Sequence, residues 1–221
     1  DYKVNGDLAT SDGVTPLHIA CEKGNVEVIK LLLEYKVNGD CQDKMGRTPF
    51  LAACIHDHVD VLKLLIEYKV NIDLPTNDGY NPLVMACLQG HIEVVKLLIE
   101  CNANSNLAAS DGVTPLYIAC HEGKVEAAKL LLEYTVSGDN NGATALLAAC
   151  EQGHVEIVKL LIGYKVNGDL ANSNGLTPLM IANQKGDVEL VRLLLEYKVN
   201  GDRQDNNGAT ALLTACEQGH V

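Results

Sequence analysis

Six of the eight cysteines in this chain of 221 residues, Cys21, Cys54, Cys87, Cys120, Cys150 and Cys216, recur at one sequence position. Four histidines, His58, His91, His154 and His220, recur at another. Thiols and imidazoles are the groups of zinc sites and of nucleophilic catalysis, so their spacing decides what chemistry is open to them. A structural zinc site needs close pairs such as C-x2-C, and the chain has none; it also lacks HExxH, G-x-S-x-G and a glycine loop that could cradle phosphate. His56 and His58 stand two apart, which on one helix puts them on different faces and argues against a metal pair. No catalytic, cofactor-binding or metal-ligating residue is therefore expected, and the chain reads as a non-enzyme. So many free thiols without an N-x-S/T acceptor favour a reducing, cytoplasmic compartment.

The cysteine spacing is that of the whole chain. The stretch Asp12 to Tyr35, DGVTPLHIACEKGNVEVIKLLLEY, is written again and again: placing Thr15 on Thr48, Asn81, Thr114, Thr144, Thr177 and Thr210 gives steps of 33, 33, 33, 30, 33 and 33 residues. A period of that length means stacked repeats, each burying its apolar face against its neighbours. In each unit a capping Thr15 followed by Pro16 starts a helix that runs to about Lys23, where Gly24 breaks it. A second helix follows from about Val26 to Tyr35, with Val26, Ile29, Leu32 and Leu33 on its apolar stripe. Val37 to Gly46, rich in Gly, Asn and Asp, reads as an extended hairpin leading to the next unit. Hydrophobic residues make up 47% but aromatics only 4%, so Leu, Val, Ile, Ala and Cys must build the core. Stacked helices lie about 8 to 10 Å apart, too far for disulfides, whose Cα atoms stay within about 7 Å. The cysteine ladder is thus expected to be reduced, buried and inert.

The run T-P-L-H-I-A-C-E-K-G-N-V-E-V-I-K-L-L-L-E, Thr15 to Glu34, resembles the ankyrin repeat, and T-P-L or a close variant recurs in every unit. The resemblance implies an all-α, ankyrin-repeat solenoid of stacked helix-turn-helix units joined by β-hairpin-like loops, which binds another protein on its concave face. It also implies a structural role for His18 at the helix start and a capping role for the recurring histidines of the Gly-His step. The expected organisation is one array over 1–221: the tail of a preceding repeat (1–9), repeats at 10–42, 43–75, 76–108, 109–138, 139–171 and 172–204, and a partial seventh (205–221). Both ends look cut and uncapped, as in an excerpt from a longer array, and the bare end repeats are expected to allow end-to-end self-stacking.

Departures from the family pattern are local. The Gly that closes the second helix is replaced by Lys36, Lys69, Asn102, Thr135, Lys165 and Lys198, so either backbone strain is borne or the turn is built differently. Gly39, Gly138, Gly168 and Gly201 stand where the hairpin base usually has Val, with Ile72 and Ser105 as exceptions, and a loosened base is expected. Three residues are missing before Gly142, so one finger, Gly138 to Gly142, should be short and leave a notch between units four and five. The tyrosines closing second helices, Tyr35, Tyr68, Tyr134, Tyr164 and Tyr197, are regular and therefore expected to pack.

A formal charge of -12 argues against nucleic acid, which needs a basic stripe, and favours a protein or peptide partner with a basic or neutral surface. No run of 18 apolar residues exists, so no direct membrane insertion is expected. Recognition should lie where the repeats differ. At the hairpin tips and ahead of the Gly-His step, repeats two and three carry Lys44, Met45, Arg47, Ile55 and His56, then Asn77, Asp78, Tyr80, Leu88 and Gln89, and the patch extends to Tyr117, His121 and Glu122 of repeat four. Met45, Ile55, Tyr80 and Leu88 are apolar where solvent is expected, the mark of an interaction patch. Repeats five and seven look alike and polar there, with Glu151 and Gln152 against Glu217 and Gln218. The function read from this is a rigid protein-interaction scaffold; the alternatives are a spacer or spring in a longer array, or a non-catalytic targeting region of a larger enzyme or channel.

Overall fold

The computed structural model describes residues 5–134 and 140–219. Among them the chain forms thirteen helices: α1 (Pro16–Glu22), α2 (Val26–Glu34), α3 (Pro49–Ile55), α4 (Val59–Glu67), α5 (Pro82–Gln89), α6 (Ile92–Glu100), α7 (Pro115–His121), α8 (Val125–Tyr134), α9 (Asn140–Gln152), α10 (Val155–Gly163), α11 (Pro178–Lys185), α12 (Val188–Glu196) and α13 (Ala211–Gln218). They fall into two compact units, Asp1–Pro115 and Leu116–Val221. In each unit, helices from successive repeats pack on one another, α1 on α3 and α3 on α5 in the first, α9 on α11 and α11 on α13 in the second.

Local chemistry explains the helix starts. Thr48, Asn81 and Thr177 precede a proline, and their side-chain oxygens accept the amides of Leu51, Val84 and Met180. At Thr15 the cap is supplied differently: His18 Nδ1 accepts the Thr15 amide at 3.2 Å and Nε2 bonds the Arg47 carbonyl at 2.9 Å. Because Nδ1 accepts, Nε2 is the protonated nitrogen, and the buried imidazole is held as one neutral tautomer. His18 is thus structural, and it ties the first repeat to the second.

At the helix ends the borne strain wins over a rebuilt turn. Lys36, Lys69, Asn102, Lys165 and Lys198 all adopt φ between 57° and 64°, at roughly 1 kcal/mol each; Thr135 lies outside the described residues. The turn gives something back, since the Lys36 and Val37 amides bond the Leu33 and Leu32 carbonyls that the helix leaves open. The hairpins are hairpin-like loops closed by return bonds such as Asp43 N to Arg47 O at 3.0 Å and Gly46 N to Asp43 O at 2.9 Å.

At Gly39 and Gly168 the hairpin base is tight, which corrects the expectation of a loosened one there; Gly201 meets only Leu179 at 3.7 Å, and Gly138 lies outside the described residues. A Cβ on Gly39 would lie 2.7 Å from Val70 Cγ1, and one on Gly168 would lie 2.6 Å from Val199 Cγ1. Glycine is there because the valine of the next repeat occupies the space. Where the chain has Ile72 instead, the residue at the valine position one repeat on is the smaller Ala103, which is buried. The same segments carry a clasp that recurs along the chain: Asn38 Oδ1 accepts the Asp40 amide, and Asp40 Oδ1 accepts the Asn71 amide of the next repeat at 2.8 Å. Asp7, Asp73 and Asp169 repeat the second bond to Asn38, Asn104 and Asn200.

The first unit buries Leu17, Ile29, Phe50, Leu62 and Leu98, the second Leu131, Leu146, Ile157 and Leu161. Cys21, Cys54, Cys87, Cys120 and Cys150 are fully enclosed among them as free thiols, but Cys216 is exposed because no described helix covers its side of α13. The tyrosine expectation needs a similar correction. Tyr35 is 79% exposed, and Tyr68 and Tyr134 are exposed too; a residue closing the helix lies past the apolar stripe. Tyr197 does tie repeats, its hydroxyl donating to the Val166 carbonyl at 2.8 Å. The shortened finger and its notch fall on 135–139, outside the described residues; from Asn140 the backbone is already helical, so Asn140 to Gly142 belong to α9 and not to the finger.

A candidate protein-binding groove

The first helices α1 and α3 enclose a groove of about 130 Å³ lined by Val14, His18, Glu22, Asp43, Arg47, Ala52, Ile55 and His56. The lining combines apolar Val14, Ala52 and Ile55 with groups of both charges. Arg47 is half-committed: its Nε and Nη2 both lie 2.7 Å from Asp43 Oδ2, while Asp43 Oδ1 accepts the Met45 and Arg47 amides. Burial would raise the Asp43 carboxyl, but these backbone bonds and the guanidinium outweigh it and hold it below its usual 3.8. Glu22 is also drawn down, chiefly by the Lys23 ammonium 2.9 Å away.

The histidines do not behave as their spacing suggested. His56 caps the end of α3 and His58 the start of α4, so they flank a turn, and their rings stack with centroids 6.1 Å apart. The different-faces argument assumed one continuous helix. No group of three or more His, Cys, Asp or Glu able to hold a metal occurs among the described residues. The Gly-His histidines sit at the helix starts, but none caps with its side chain. Their Nε2 atoms instead bond the preceding repeat: His58 to Glu22 O, His91 to Ile55 O and His154 to His121 O, each at 3.0 Å. His220 lies outside the described residues.

The sequence-predicted contact residues occupy three places. Arg47, Ile55 and His56 meet in the groove. Lys44 and Met45 are exposed at a hairpin tip, where Lys44 N bonds Asp12 O and Met45 O accepts Asn77 N, and the Lys44 ammonium lies 3.8 Å from Asp12. Tyr80 is half-buried and donates to Asp111 Oδ2 at 2.6 Å, which raises its phenol and lowers the carboxyl; Leu88 is half-buried and Gln89 exposed. Tyr117, His121 and Glu122 belong to the second unit. There the Tyr117 and His121 rings stack at 6.0 Å, and His121 bonds Glu122 at 2.8 Å and Gln152 at 3.0 Å. Val14, Glu22 and Asp43 were missed. Val14 and Glu22 could have been found by stepping back 33 residues from Arg47 and Ile55, because a groove between stacked helices is lined from two units at once.

The second unit holds the corresponding groove between α11 and α13, about 360 Å³ and lined by Gln184, Asp205, Asn207, Gly208, Ala209, Leu213, Thr214, Glu217 and Gln218. Here the lining is polar and acidic. Burial pushes the Cys21, Cys120 and Cys150 thiols up to about 12 and raises Cys54 well above its usual value, which makes these four poor nucleophiles.

A family model described as ankyrin repeats (3 copies) matches residues 2–76, 36–108, 101–170 and 164–221. The chain belongs to the ankyrin-repeat family, and its fold class is the all-α solenoid that the T-P-L-H motif implied. Among solved structures it is similar to the human ASB11 ankyrin repeat domain, at 28% identity and a TM-score of 0.79 over 91% of this chain and 92% of that one. The ankyrin repeat domain of Bcl-3, described as a unique member of the IkappaB family, has the same fold at 24% identity and a TM-score of 0.82, covering 93% and 95%. No curated protein sequence matches the chain. Among the described residues no helix is long and apolar enough to cross a membrane.

Proposed function

We propose that this array is a protein-interaction scaffold that holds a partner protein or peptide along its hairpin tips and first helices, with the groove between α1 and α3 as the anchoring point. Ankyrin repeats are protein-interaction modules, and the observation that carries the placement is a lining that brings apolar Val14, Ala52 and Ile55 together with Arg47, His56 and Glu22. An apolar side chain of the partner meets the apolar residues and its polar neighbours the charged ones, the usual arrangement of a binding centre. Met45, 59% exposed at the adjoining tip, extends the apolar contact. Lys44, Tyr80, Leu88 and Gln89 continue the surface within the first unit; Tyr117, His121 and Glu122 form a separate patch of the second. The overall negative charge favours a partner with a basic or neutral surface, in a reducing intracellular compartment.

The test compares partners captured by the intact chain with those captured by two variants. Ile55→Ser with His56→Ser is expected to lose the partner, and Glu27→Ser with Lys30→Ser, changes to an exposed pair on α2 that does not line the groove, to keep it. Capture that survives the first pair of changes, with folding intact by circular dichroism, refutes the placement.

A further inference from the structure

The grooves of the two units share repeat positions: Glu22, Asp43, Arg47, Ile55 and His56 in one answer to Gln184, Asp205, Ala209, Glu217 and Gln218 in the other. Both begin with an aspartate that organises the hairpin. Asp43 Oδ1 accepts the Met45 and Arg47 amides at 2.9 and 2.8 Å, and Asp205 Oδ1 accepts the Asn207 and Ala209 amides at 2.9 and 2.8 Å. The remaining oxygen is where they differ. Asp43 Oδ2 holds the two nitrogens of Arg47, whereas the residue at that place beside Asp205 is Ala209, and no ion pair engages Asp205 among the described residues. The hollow is also larger, about 360 Å³ against 130 Å³, and it takes in Leu213, whose counterpart Leu51 is fully buried in the first unit.

The hairpin itself does not require this charge. In the preceding repeat Asn172 Oδ1 accepts the same two amides, from Asn174 and Leu176, at 3.0 and 3.1 Å, with a neutral side chain. Asp205 therefore presents a half-buried carboxylate whose charge is surplus to the turn, and Glu217 adds a second where Ile55 stands in the first unit.

We propose that the groove between α11 and α13 receives an arginine side chain from a partner segment, its guanidinium taking at Asp205 the place that Arg47 takes at Asp43. The chain thus carries in its own first unit the geometry of the complex formed by its second. Arginine is favoured over lysine because the fork of Nε and Nη2 matches a carboxylate that has one open edge. Glu217 stands across the groove as a further acceptor, and Gln184 and Gln218 supply neutral ones. This groove is distinct from the anchoring point proposed in the first unit.

The experiment titrates the isotopically labelled full chain with acetyl-Gly-Gly-Arg-Gly-Gly-amide and with its citrulline twin, which has the same shape without the charge. The arginine peptide is expected to move the amide resonances of Ala209 and Glu217 and to bind about tenfold more tightly than the twin. Asp205→Asn, which keeps both hairpin bonds as Asn172 does, is expected to remove that preference, and Ala209→Arg, which fills the site internally, to abolish binding. Ile55→Ser is expected to leave the titration unchanged, so that failure of the first groove's role and of this one are told apart. Equal binding of the two peptides, no movement at Ala209 and Glu217, or an unchanged preference in either Asp205→Asn or Ala209→Arg would overturn the proposal.

Discussion

Gly39 and Val70, one repeat apart, are fitted to each other: a single added Cβ on the glycine would stand 2.7 Å from the Val70 methyl. Gly39→Ala should therefore overpack the junction and lower stability by about 1 to 3 kcal/mol. Adding Val70→Ala should recover most of that loss, reproducing the Ile72 and Ala103 combination one repeat on. Urea denaturation of both single variants and the double variant measures the coupling. Additive losses would show that the two residues do not share the space.

The histidine at the start of α4 acts across the repeat boundary and not on its own helix. With its Nε2 3.0 Å from the Glu22 carbonyl, His58→Ala should cost about 1 kcal/mol in urea denaturation. His56→Ala, which removes an exposed ring, should stay within about 0.5 kcal/mol. Native-state hydrogen exchange should place the His58→Ala loss in α1 to α4. Equal losses in the two variants would assign the effect to their stacking instead.

The fold was legible because its determinants are local and repeated. Thr, Pro, Gly and the apolar stripe recur in most of the repeats, so helix starts and breaks follow from capping and periodicity alone. What escaped were relationships between units. Gly39 reads as a loosened turn until Val70 is placed against it, and His58 reads as a cap until its ring is seen to reach Glu22. The candidate site divides in the same way: Arg47, Ile55 and His56 differ from their counterparts and stand out in the sequence. The other lining residues Val14 and Glu22 belong to the previous repeat and show no local irregularity. Tyr35 and Cys216 were misread because regular spacing was taken to mean burial, whereas burial needs a neighbour on that side.

The thiol ladder gives the chain an alkaline limit. Burial raises Cys21, Cys120 and Cys150 from 9.0 to about 12. At pH 8 a group with that value is thiolate in about one molecule in ten thousand, so native Cys216 should react with a maleimide reagent well before any of the three. The linkage sign follows from the same shift: between 9 and 12 the unfolded chain has released protons that the folded chain still holds. The stabilising effect is full below about pH 9 and is lost as pH rises toward 12. Melting temperature against pH should fall over that window, and replacing the three cysteines by alanine should flatten the decline. A decline of the same steepness in the alanine variant would place its origin elsewhere.

Asp43 sets the limit on the acid side. Its carboxyl is held below 3.8 by the Met45 and Arg47 amides and by the guanidinium, against the opposing effect of burial, so its contribution is present above about pH 4 and is lost as pH falls through the lowered value. Asp43→Asn keeps the amide bonds, as Asn172 shows, and removes the ion pair; a loss of about 1 to 3 kcal/mol at pH 7 is expected for a charge-assisted pair whose carboxylate is only 3% exposed. The variant should also lose part of the acid dependence of stability, and Arg47→Ala should do the same with a larger groove. Urea denaturation at pH 7 and pH 3 measures both. If Asp43→Asn matches the unaltered chain at the two pH values, Arg47 is free to point into the groove and the pair does not organise it.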